Sequence, residues 1–403
     1  MLTSEKDLVS YVDRLAELGA VVSDDVKRAF ARVRRHRFLE EWYRPEIDAP
    51  RATLSFEKHT FDRDHPTTED LAEIYSNRAL VTAVEGWRPT SSMSQPALVA
   101  RMLESLDLAP GASVLEIGTG TGYNAALLRE IVGAEGSVCS IELQCDVAER
   151  ARGYLDGEGY EDVIVLARDA YCGAVEAAPY DRIVATVGCS DISPHWLEQL
   201  APDGWMLIPL QHGFWDPLVR VSRDPDRAGH GIGRIVGYSG FMPIQGALRW
   251  RNPWQSYLPA GLPEAPTRTY PLPASLIADG SGEAQTVGDP RWRSYQFFLS
   301  LSTQMIQYPG LGFGIAEPAV GSVVLVNDEA IHGYAVHGHT RSLDNLHDRL
   351  VYLAEAWGEL GRPSPEDYVL RFAPKTESPD IEGMSIRHWI VDRLDHLEIA
   401  ELP

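Results

Sequence analysis

The chain has 403 residues, 44% of them hydrophobic and 23% charged, which is ordinary for a globular protein and long enough for two domains. A formal net charge of −22 disfavours a nucleic-acid partner, because the phosphate backbone would be repelled. No apolar run is long enough to span a bilayer, and the opening MLTSEKDLVSYVDRL does not resemble a signal peptide. We therefore expect no membrane partner and a cytoplasmic protein whose four cysteines are free thiols.

Two helices are predicted within residues 5–42. The first has apolar residues at helical spacing and ends at Gly19, and Ser23 is a suitable N-cap for the second. The basic run at 34–37 is interpreted as a solvated helix end, in preference to a ligand site. Residues 44–75 have little periodicity and are predicted to form a long irregular segment, which in a compact domain is often functional.

From residue 96 onward, short apolar strands alternate with helices. This alternation predicts an α/β fold with a doubly wound, mostly parallel sheet covered on both faces. Helices are expected at 96–106, 146–155 and 194–200, and strands at 114–117, 137–142, 163–167, 182–187, 205–209 and 234–243.

The last third of the chain has a different pattern. Residues 246–292 are rich in proline, tryptophan and turn residues and are predicted to be a linker or an irregular wrap. Residues 293–372 are predicted to form a small α+β unit, with strands at 295–301, 322–326 and 335–336 and a helix at 343–360.

The strongest local motif is VLEIGTGTGY at 114–123, in which a strand leads into three alternating glycines and then a helix. The spacing G-x-G-x-G differs from the G-x-G-x-x-G of a pyrophosphate loop, and no lysine or arginine stands nearby for a phosphate. Instead, acids follow or end three successive strands: Glu116 suits an amino group, Glu142 both ribose hydroxyls, and Asp169 an adenine amino group. These features describe S-adenosylmethionine. The predicted cofactor residues are Glu116, Gly118, Thr119, Gly120, Gly122, Tyr123, Glu142, Leu143, Asp169 and Ala170.

Two weaker patterns have competing interpretations. His332, His337 and His339 lie close together, but without placed carboxylates or cysteines they are more typical of exposed histidines than of a metal site, so no metal is predicted. The aromatic-rich stretch from Trp250 to Tyr270 is interpreted as cover for a sheet edge, with a peptide groove as the alternative.

At the glycine motif the sequence resembles the class I methyltransferases that use S-adenosylmethionine. Within that class it resembles the protein-L-isoaspartate (D-aspartate) O-methyltransferase family, through the SMSQP segment at 92–96, the LEIGTGTGYNAALL block, APYDRI at 178–183 and LAPDGWMLIP at 200–209. The resemblance implies a Rossmann-like fold and a methyltransferase acting on a protein or peptide carboxylate. It makes Ser94 the active-site serine and places Ser92, Met93 and Gln95 at the substrate.

Ser94 has a second interpretation. A serine two residues before a proline suits the start of a helix, so the side chain could serve only as an N-cap for the helix at 96–106. A serine-hydrolase role is excluded, because no G-x-S-x-G motif surrounds the residue.

The resemblance leaves the substrate open. Three regions are expected: N-terminal helices and an insert at 1–77, the methyltransferase domain at 78–245, and a C-terminal extension at 246–403 that binds a substrate peptide. The insert and extension are similar to a longer branch of the family associated with ribosomal peptides (lanthipeptides, lasso peptides, graspetides), which implies methylation of an aspartate in a constrained precursor peptide and closure to an aspartimide. The alternatives are general isoaspartate repair, a non-catalytic binding module and small-molecule methylation.

Overall fold

The computed structural model describes residues 5–48, 53–86, 88–212, 216–249, 262–263, 265–276, 290–303, 305–308, 312–327, 329–335, 340–377 and 387–403. The chain forms two compact units. The first comprises residues 1–209, 219–231 and 241–249, and the second comprises 210–218, 232–240 and 250–403.

The first unit begins with helices and continues with two sheets. Its helices are α1 (Glu5–Glu17), α2 (Asp24–Arg32), α3 (Thr68–Ile74), α4 (Pro96–Leu106), α5 (Tyr123–Val132), α6 (Cys145–Gly157) and α7 (Pro194–Gln199). Its strands are β1 (Glu41–Asp48), β2 (Thr53–Thr60), β3 (Leu80–Glu85), β4 (Arg88–Met93), β5 (Ser113–Ile117), β6 (Ser137–Glu142), β7 (Ile164–Ala167), β8 (Tyr180–Ala185) and β9 (Leu200–Pro209). Strands β10 (Asp216–Arg223) and β11 (Gly231–Ser239) contribute residues to both units.

A parallel sheet forms the centre of the first unit. Its strands lie in the order β7-β6-β5-β8-β9 and all pair in parallel. Consecutive residues of β5 and β6 are buried, and since successive side chains point to opposite faces of a strand, both faces of the sheet are covered. This is the predicted α/β fold, and it brings the carboxyl ends of β5, β6 and β8 to one edge.

The N-terminal region departs from the sequence prediction. Residues 44–75 are not irregular: β1 and β2 form an antiparallel pair within a sheet of order β2-β1-β3-β4, and α3 follows. In register across the pair, the Trp42 and His59 rings lie 4.2 Å apart between centroids, and Trp42 is fully buried. In β1, Trp42 and Tyr43 are adjacent and Arg44, Pro45 and Glu46 follow them, so the alternation of apolar and polar residues that indicates a strand is missing. The predicted cap of α2 is confirmed, since Ser23 accepts from the Val26 N–H.

Among the described residues, the second unit contains two further α-helices and eight strands. They are β12 (Arg268–Tyr270), α8 (Pro290–Ser302), β13 (Met305–Tyr308), β14 (Gly312–Glu317), β15 (Ser322–Val326), β16 (Ile331–Ala335), α9 (Thr340–Glu359), β17 (Val369–Pro374), β18 (His388–Asp392) and β19 (His396–Glu401). An antiparallel sheet has the order β12-β16-β15-β14-β13, and a further antiparallel set is formed by β17, β19 and β18. One prediction here is wrong: residues 295–301 belong to a helix, in which Trp292, Tyr295 and Leu299 are buried at helical spacing.

The helices and the cysteines bear on the expectations about membranes and disulfides. Within the described ranges, every helix is too short or too polar to cross a bilayer. All four cysteines are free thiols, as predicted.

Candidate cofactor and acceptor site

A cavity opens at the carboxyl edge of the parallel sheet. It holds about 990 Å³ of empty space, a figure that includes space open to solvent. Ten of the predicted site residues line it: Ser92, Met93, Ser94, Gly118, Thr119, Gly120, Tyr123, Glu142, Leu143 and Ala170. The wall also includes residues that the sequence analysis did not select, among them Asn124, Gln144, Thr186, Val187 and the stretch from Phe241 to Gln245.

The glycine motif forms a tight turn directly against strand β4. The N–H groups of Gly118 and Thr119 donate to the Ile141 carbonyl at 2.9 and 3.2 Å, which fixes the turn to the end of β6. Gly120 has φ +54°, and a Cβ at that position would lie 3.3 Å from the Ser92 carbonyl oxygen. Glycine is therefore needed at 120 both for its backbone angle and for the close approach of β4.

Glu142 is the predicted acid that lies in the cavity wall. Its two carboxylate oxygens accept the N–H groups of Gly120 at 3.0 Å and Gln144 at 3.1 Å. Burial raises the pKa of Glu142, and these backbone hydrogen bonds oppose the rise. A carboxylate offers about four lone-pair positions, so the pair of N–H bonds leaves acceptors for two ribose hydroxyls. The residues present thus fit the sugar of S-adenosylmethionine.

Glu116 is not among the residues that line the cavity, so its contact with a ligand amino group stays a prediction. It is fully buried beneath the turn, where it accepts from Asn124 Nδ2 at 2.7 Å and from Ser140 Oγ at 2.5 Å. Ser140 Oγ in turn lies 2.6 Å from Thr119 Oγ1. The Glu116 carboxylate is therefore linked to Asn124 directly and to Thr119 through Ser140, and both Asn124 and Thr119 line the cavity. Burial raises the pKa of Glu116 to about 7.

Asp169 also lies outside the cavity wall. Its oxygens accept the N–H groups of Tyr171 and Ala247 at 2.9 and 2.8 Å. As at Glu142, two such bonds leave lone pairs on the carboxylate, so the role of Asp169 toward adenine stays a prediction. The remaining predicted residues outside the wall are Gly122, which is the N-cap of α5, and Gln95.

A segment far along the chain closes part of the cavity, and we call Phe241–Arg249 the strap. Its Met242 carbonyl accepts from the Gly188 N–H at 2.8 Å, and the Ile244 N–H donates to the Gly188 carbonyl at 2.9 Å. The strap begins about 70 residues after the last predicted cofactor acid and about 120 after the glycine motif, distances along the chain that no local pattern spans.

Ser94 lines the cavity, where its hydroxyl group can contact a ligand. The side chain is half-buried, and within the described part of the chain its Oγ has no hydrogen-bond partner. The N-cap of α4 is Gln95, with no side-chain capping bond, so the interpretation of Ser94 as only a helix cap is wrong. The Gln95 amide instead donates to the Asn77 carbonyl at 3.1 Å.

The described side chains that line the cavity carry negative charge but no positive charge. Among the described residues that line it there is no lysine, arginine or histidine, and Glu142 is the only carboxylate. A cationic ligand is therefore favoured by charge, whereas an anionic group can be held only by neutral donors such as the hydroxyls of Ser92 and Ser94.

The histidine cluster and the aromatic-rich stretch of the sequence lie mostly outside the described residues. His337 and His339 lie outside the described residues, as does most of the stretch from Trp250 to Tyr270. In the ranges that the structure covers, no group of three His, Cys, Asp or Glu side chains is placed to hold a metal ion.

Comparison with known proteins identifies the family. Residues 47–245 match the model of the family protein-L-isoaspartate(D-aspartate) O-methyltransferase. Protein-L-isoaspartate O-methyltransferase 2 of Archaeoglobus fulgidus is 40% identical over 183 residues, which is 45% of this chain and 82% of that protein. The protein-L-isoaspartate O-methyltransferase of Pyrococcus horikoshii is 32% identical over 258 residues, or 62% of this chain and all of that one.

A solved structure of a protein-L-isoaspartate O-methyltransferase resembles almost the whole chain. It aligns over 91% of this chain and 96% of its own with a TM-score of 0.53, and it is 24% identical, which establishes the fold. The Rossmann-like methyltransferase fold and the predicted cofactor are thereby confirmed. The chain belongs to the protein-L-isoaspartate O-methyltransferase family and is an S-adenosylmethionine-dependent carboxyl O-methyltransferase.

Proposed function

We propose that this protein methylates the side-chain carboxylate of isoaspartyl residues in damaged proteins and peptides. The relatives that it matches over 82–100% of their length carry this activity in their names. The observation that supports the proposal most directly is the free hydroxyl of Ser94 in the wall of a cofactor cavity whose described lining contains no basic side chain.

The residues of the cavity suit transfer of a methyl group to a carboxylate. S-adenosylmethionine, when bound, supplies a methyl group on a positively charged sulfur. The acceptor carboxylate is already ionised near neutral pH, so no residue has to remove a proton from it. Ser94 would donate its hydroxyl hydrogen to one carboxylate oxygen and orient the other for attack, while the neutral wall reduces the hydration of the carboxylate.

The hypothesis that the substrate is a dedicated constrained peptide depends on two segments that the compact repair enzyme is expected to lack. The first, the insert at 45–74, lies almost entirely within the family match, which begins at residue 47. The second, the extension after 245, falls in a chain of which 91% aligns with the structure of a protein-L-isoaspartate O-methyltransferase. The insert therefore does not separate this protein from repair enzymes, whereas the extension lies outside the family match and shares only its fold with that structure. The names of the matched relatives make general repair the better-supported function, and aspartimide formation in a ribosomal peptide stays a prediction.

The proposal is tested by comparing two peptides of identical sequence, one with an isoaspartyl residue and one with aspartate. We expect the isoaspartyl peptide to gain the mass of one methylene group in a reaction that requires S-adenosylmethionine, and the aspartyl peptide to remain unmodified. A cyclised aspartyl peptide provides the third arm. Preferential methylation of either aspartyl peptide would contradict general repair and favour the dedicated-peptide hypothesis.

A further inference from the structure

We propose that Arg35 is a positioning residue for the methyl acceptor, which fixes the segment carrying Ser94 relative to the glycine turn. The choice of an isoaspartyl peptide as substrate rests on the proposed function, whereas the contacts of Arg35 do not depend on it. The basic run at 34–37 predicts a solvated helix end, and this prediction is wrong for Arg35, which is fully buried in a 3₁₀ turn at Arg35–Phe38.

The guanidinium of Arg35 binds three backbone carbonyls from two segments, the turn at 74–78 and the segment that carries Ser94. Nε donates to the Ile74 carbonyl at 2.8 Å, Nη1 to the Ser94 carbonyl at 3.0 Å and Nη2 to the Arg78 carbonyl at 3.2 Å. A planar fork with donors in fixed directions can make all three bonds at once, whereas the single ammonium of lysine cannot reproduce that geometry.

The charge of Arg35 makes this arrangement costly unless the three bonds compensate. Within the described residues, no carboxylate forms an ion pair with Arg35. Burial of an unpaired charge is strongly unfavourable, so the carbonyl fork is what stabilises the guanidinium, and the guanidinium in turn fixes the carbonyls. The Ser94 segment therefore has little freedom to move independently of the turn at 74–78.

Arg35 also contacts the cofactor side of the cavity. Its guanidinium carbon lies 5.4 Å from the centroid of the Tyr123 ring, within cation–π distance. Tyr123 lines the cavity and begins α5 immediately after the glycine turn. A single buried side chain thus joins the backbone of Ser94 to the residue after the glycines. Methyl transfer depends steeply on the separation of donor and acceptor, which this connection would set.

Asn77, in the same turn, provides an independent connection to the acceptor segment. Its Oδ1 accepts the Ala97 N–H at 3.0 Å, and its carbonyl accepts from the Gln95 side chain at 3.1 Å. Asn77 is exposed, so it can be replaced without loss of core packing.

The test compares Arg35→Lys with a matched control, Arg37→Gln. Arg37 lies in the same 3₁₀ turn and forms ion pairs with Glu158 and Asp64, outside the cavity wall. For Arg35→Lys we expect kcat/KM for an isoaspartyl peptide to fall on the order of 10- to 100-fold. The dissociation constant for S-adenosylmethionine should change by less than about threefold, because Arg35 makes no hydrogen bond to Glu142 or to the glycine turn. Arg37→Gln should leave both quantities near wild type.

Hydrogen exchange provides a readout that does not depend on the substrate. In Arg35→Lys, amides in segments 74–79 and 94–99 should exchange faster than in wild type, and in Arg37→Gln they should not. Wild-type kinetics together with wild-type exchange would overturn the inference, and so would equal losses of cofactor affinity and kcat/KM. If the wild-type enzyme leaves the isoaspartyl peptide unmodified, the proposed function fails, and the exchange comparison still decides the role of Arg35.

A second variant covers the case in which Arg35→Lys does not fold. Asn77→Ala removes the side-chain acceptor of the Ala97 N–H and should speed exchange in 94–99 and lower kcat/KM by roughly five- to tenfold, the loss of about one hydrogen bond. An Asn77→Ala enzyme with wild-type exchange and kinetics would show that the turn does not position Ser94.

Discussion

The two walls of the cavity are built in different ways. The cofactor wall, made by Gly118–Gly120 and Glu142, lies at the ends of adjacent parallel strands, and its hydrogen bonds join the residues that follow β5 to the end of β6. The acceptor wall, made by Ser92–Ser94, depends on Arg35 and on the turn at 74–79. A parallel sheet places the cofactor wall by its topology alone, whereas the acceptor wall needs connections between distant segments.

The walls also differ in charge. Glu142 gives the cofactor wall a carboxylate, whereas the acceptor wall offers hydroxyl and backbone groups. This division suits a cationic methyl donor next to an anionic acceptor, because each meets groups that do not repel it. Substitutions in one wall should consequently affect one ligand and spare the other, and the following predictions test that separation.

The largest effect is expected in the acceptor wall. Ser94→Ala should lower kcat for an isoaspartyl peptide on the order of 10- to 1000-fold, because a hydroxyl that orients the carboxylate is removed. Affinity for S-adenosylmethionine and thermal stability should remain at wild-type values, because the hydroxyl has no hydrogen-bond partner among the described residues. Single-turnover methylation and calorimetry measure these quantities, with Ser137→Ala, outside the cavity wall, as control. A wild-type rate would remove Ser94 from the mechanism.

The next effect lies in the cofactor wall. Glu142→Ala should weaken binding of S-adenosylmethionine by about 1.5–3 kcal/mol, the loss expected when hydrogen bonds to a charged acceptor are removed. Glu142→Gln keeps one acceptor oxygen and should lose less. Titration calorimetry measures both affinities. Unchanged binding by the alanine variant would show that the ribose hydroxyls are held elsewhere.

The sequence could predict the cofactor wall because its signals are local. A strand, alternating glycines and an acid at the end of the next strand are all visible as short patterns, and the structure brings Gly118, Gly120 and Glu142 into one wall. Burial is what the spacing does not show: nothing in the position of Glu116 along the chain indicates that Asn124 and Ser140 surround it below the turn. The open sheet topology was likewise predictable from the alternation of elements.

The acceptor wall and its supports could not be predicted in the same way. Arg35 stands among Arg34, His36 and Arg37, and no periodicity tells which of four consecutive basic residues is buried. The strap is separated from the glycine motif by more than 100 residues, so only the fold reveals that it closes the cavity. Such contacts depend on tertiary packing, which local patterns do not record.

A smaller effect is expected at the strap. Gly246 has φ +83°, and a Cβ there would overlap Asp169 Oδ2, so Gly246→Ala must displace the carboxylate that accepts the Ala247 N–H. We expect affinity for S-adenosylmethionine to fall by roughly 0.5–1.5 kcal/mol, the loss of one hydrogen bond that holds the strap. Gly159→Ala is the matched control, since Gly159 has φ +84° and nothing lies within 4 Å of a Cβ at 159. Equal affinities for the two variants would show that the strap does not depend on Asp169.

The smallest effect on cofactor binding is expected at Glu116, which is buried behind the cavity wall. Glutamine at 116 can accept from Asn124 and donate to Ser140, so Glu116→Gln should preserve the support of the turn and change the dissociation constant for S-adenosylmethionine by less than about threefold. A loss as large as that of Glu142→Ala would restore Glu116 to the cofactor wall.

The same variant should change how stability depends on pH. The pKa of Glu116 is raised from 4.5 to about 7 by burial, so between these values the folded protein holds a proton that the unfolded chain has released. The contribution of Glu116 to the free energy of unfolding is therefore fully present below pH 4.5. It falls by up to about 3 kcal/mol as the pH rises to about 7, and it stays constant above that pH. Glu116→Gln removes the titrating group, so thermal melts should show the variant gaining on the wild type between about pH 5 and pH 8. A difference in melting temperature that is the same at both pH values would mean that Glu116 is ionised throughout, and that its neighbours stabilise the charge more than burial opposes it.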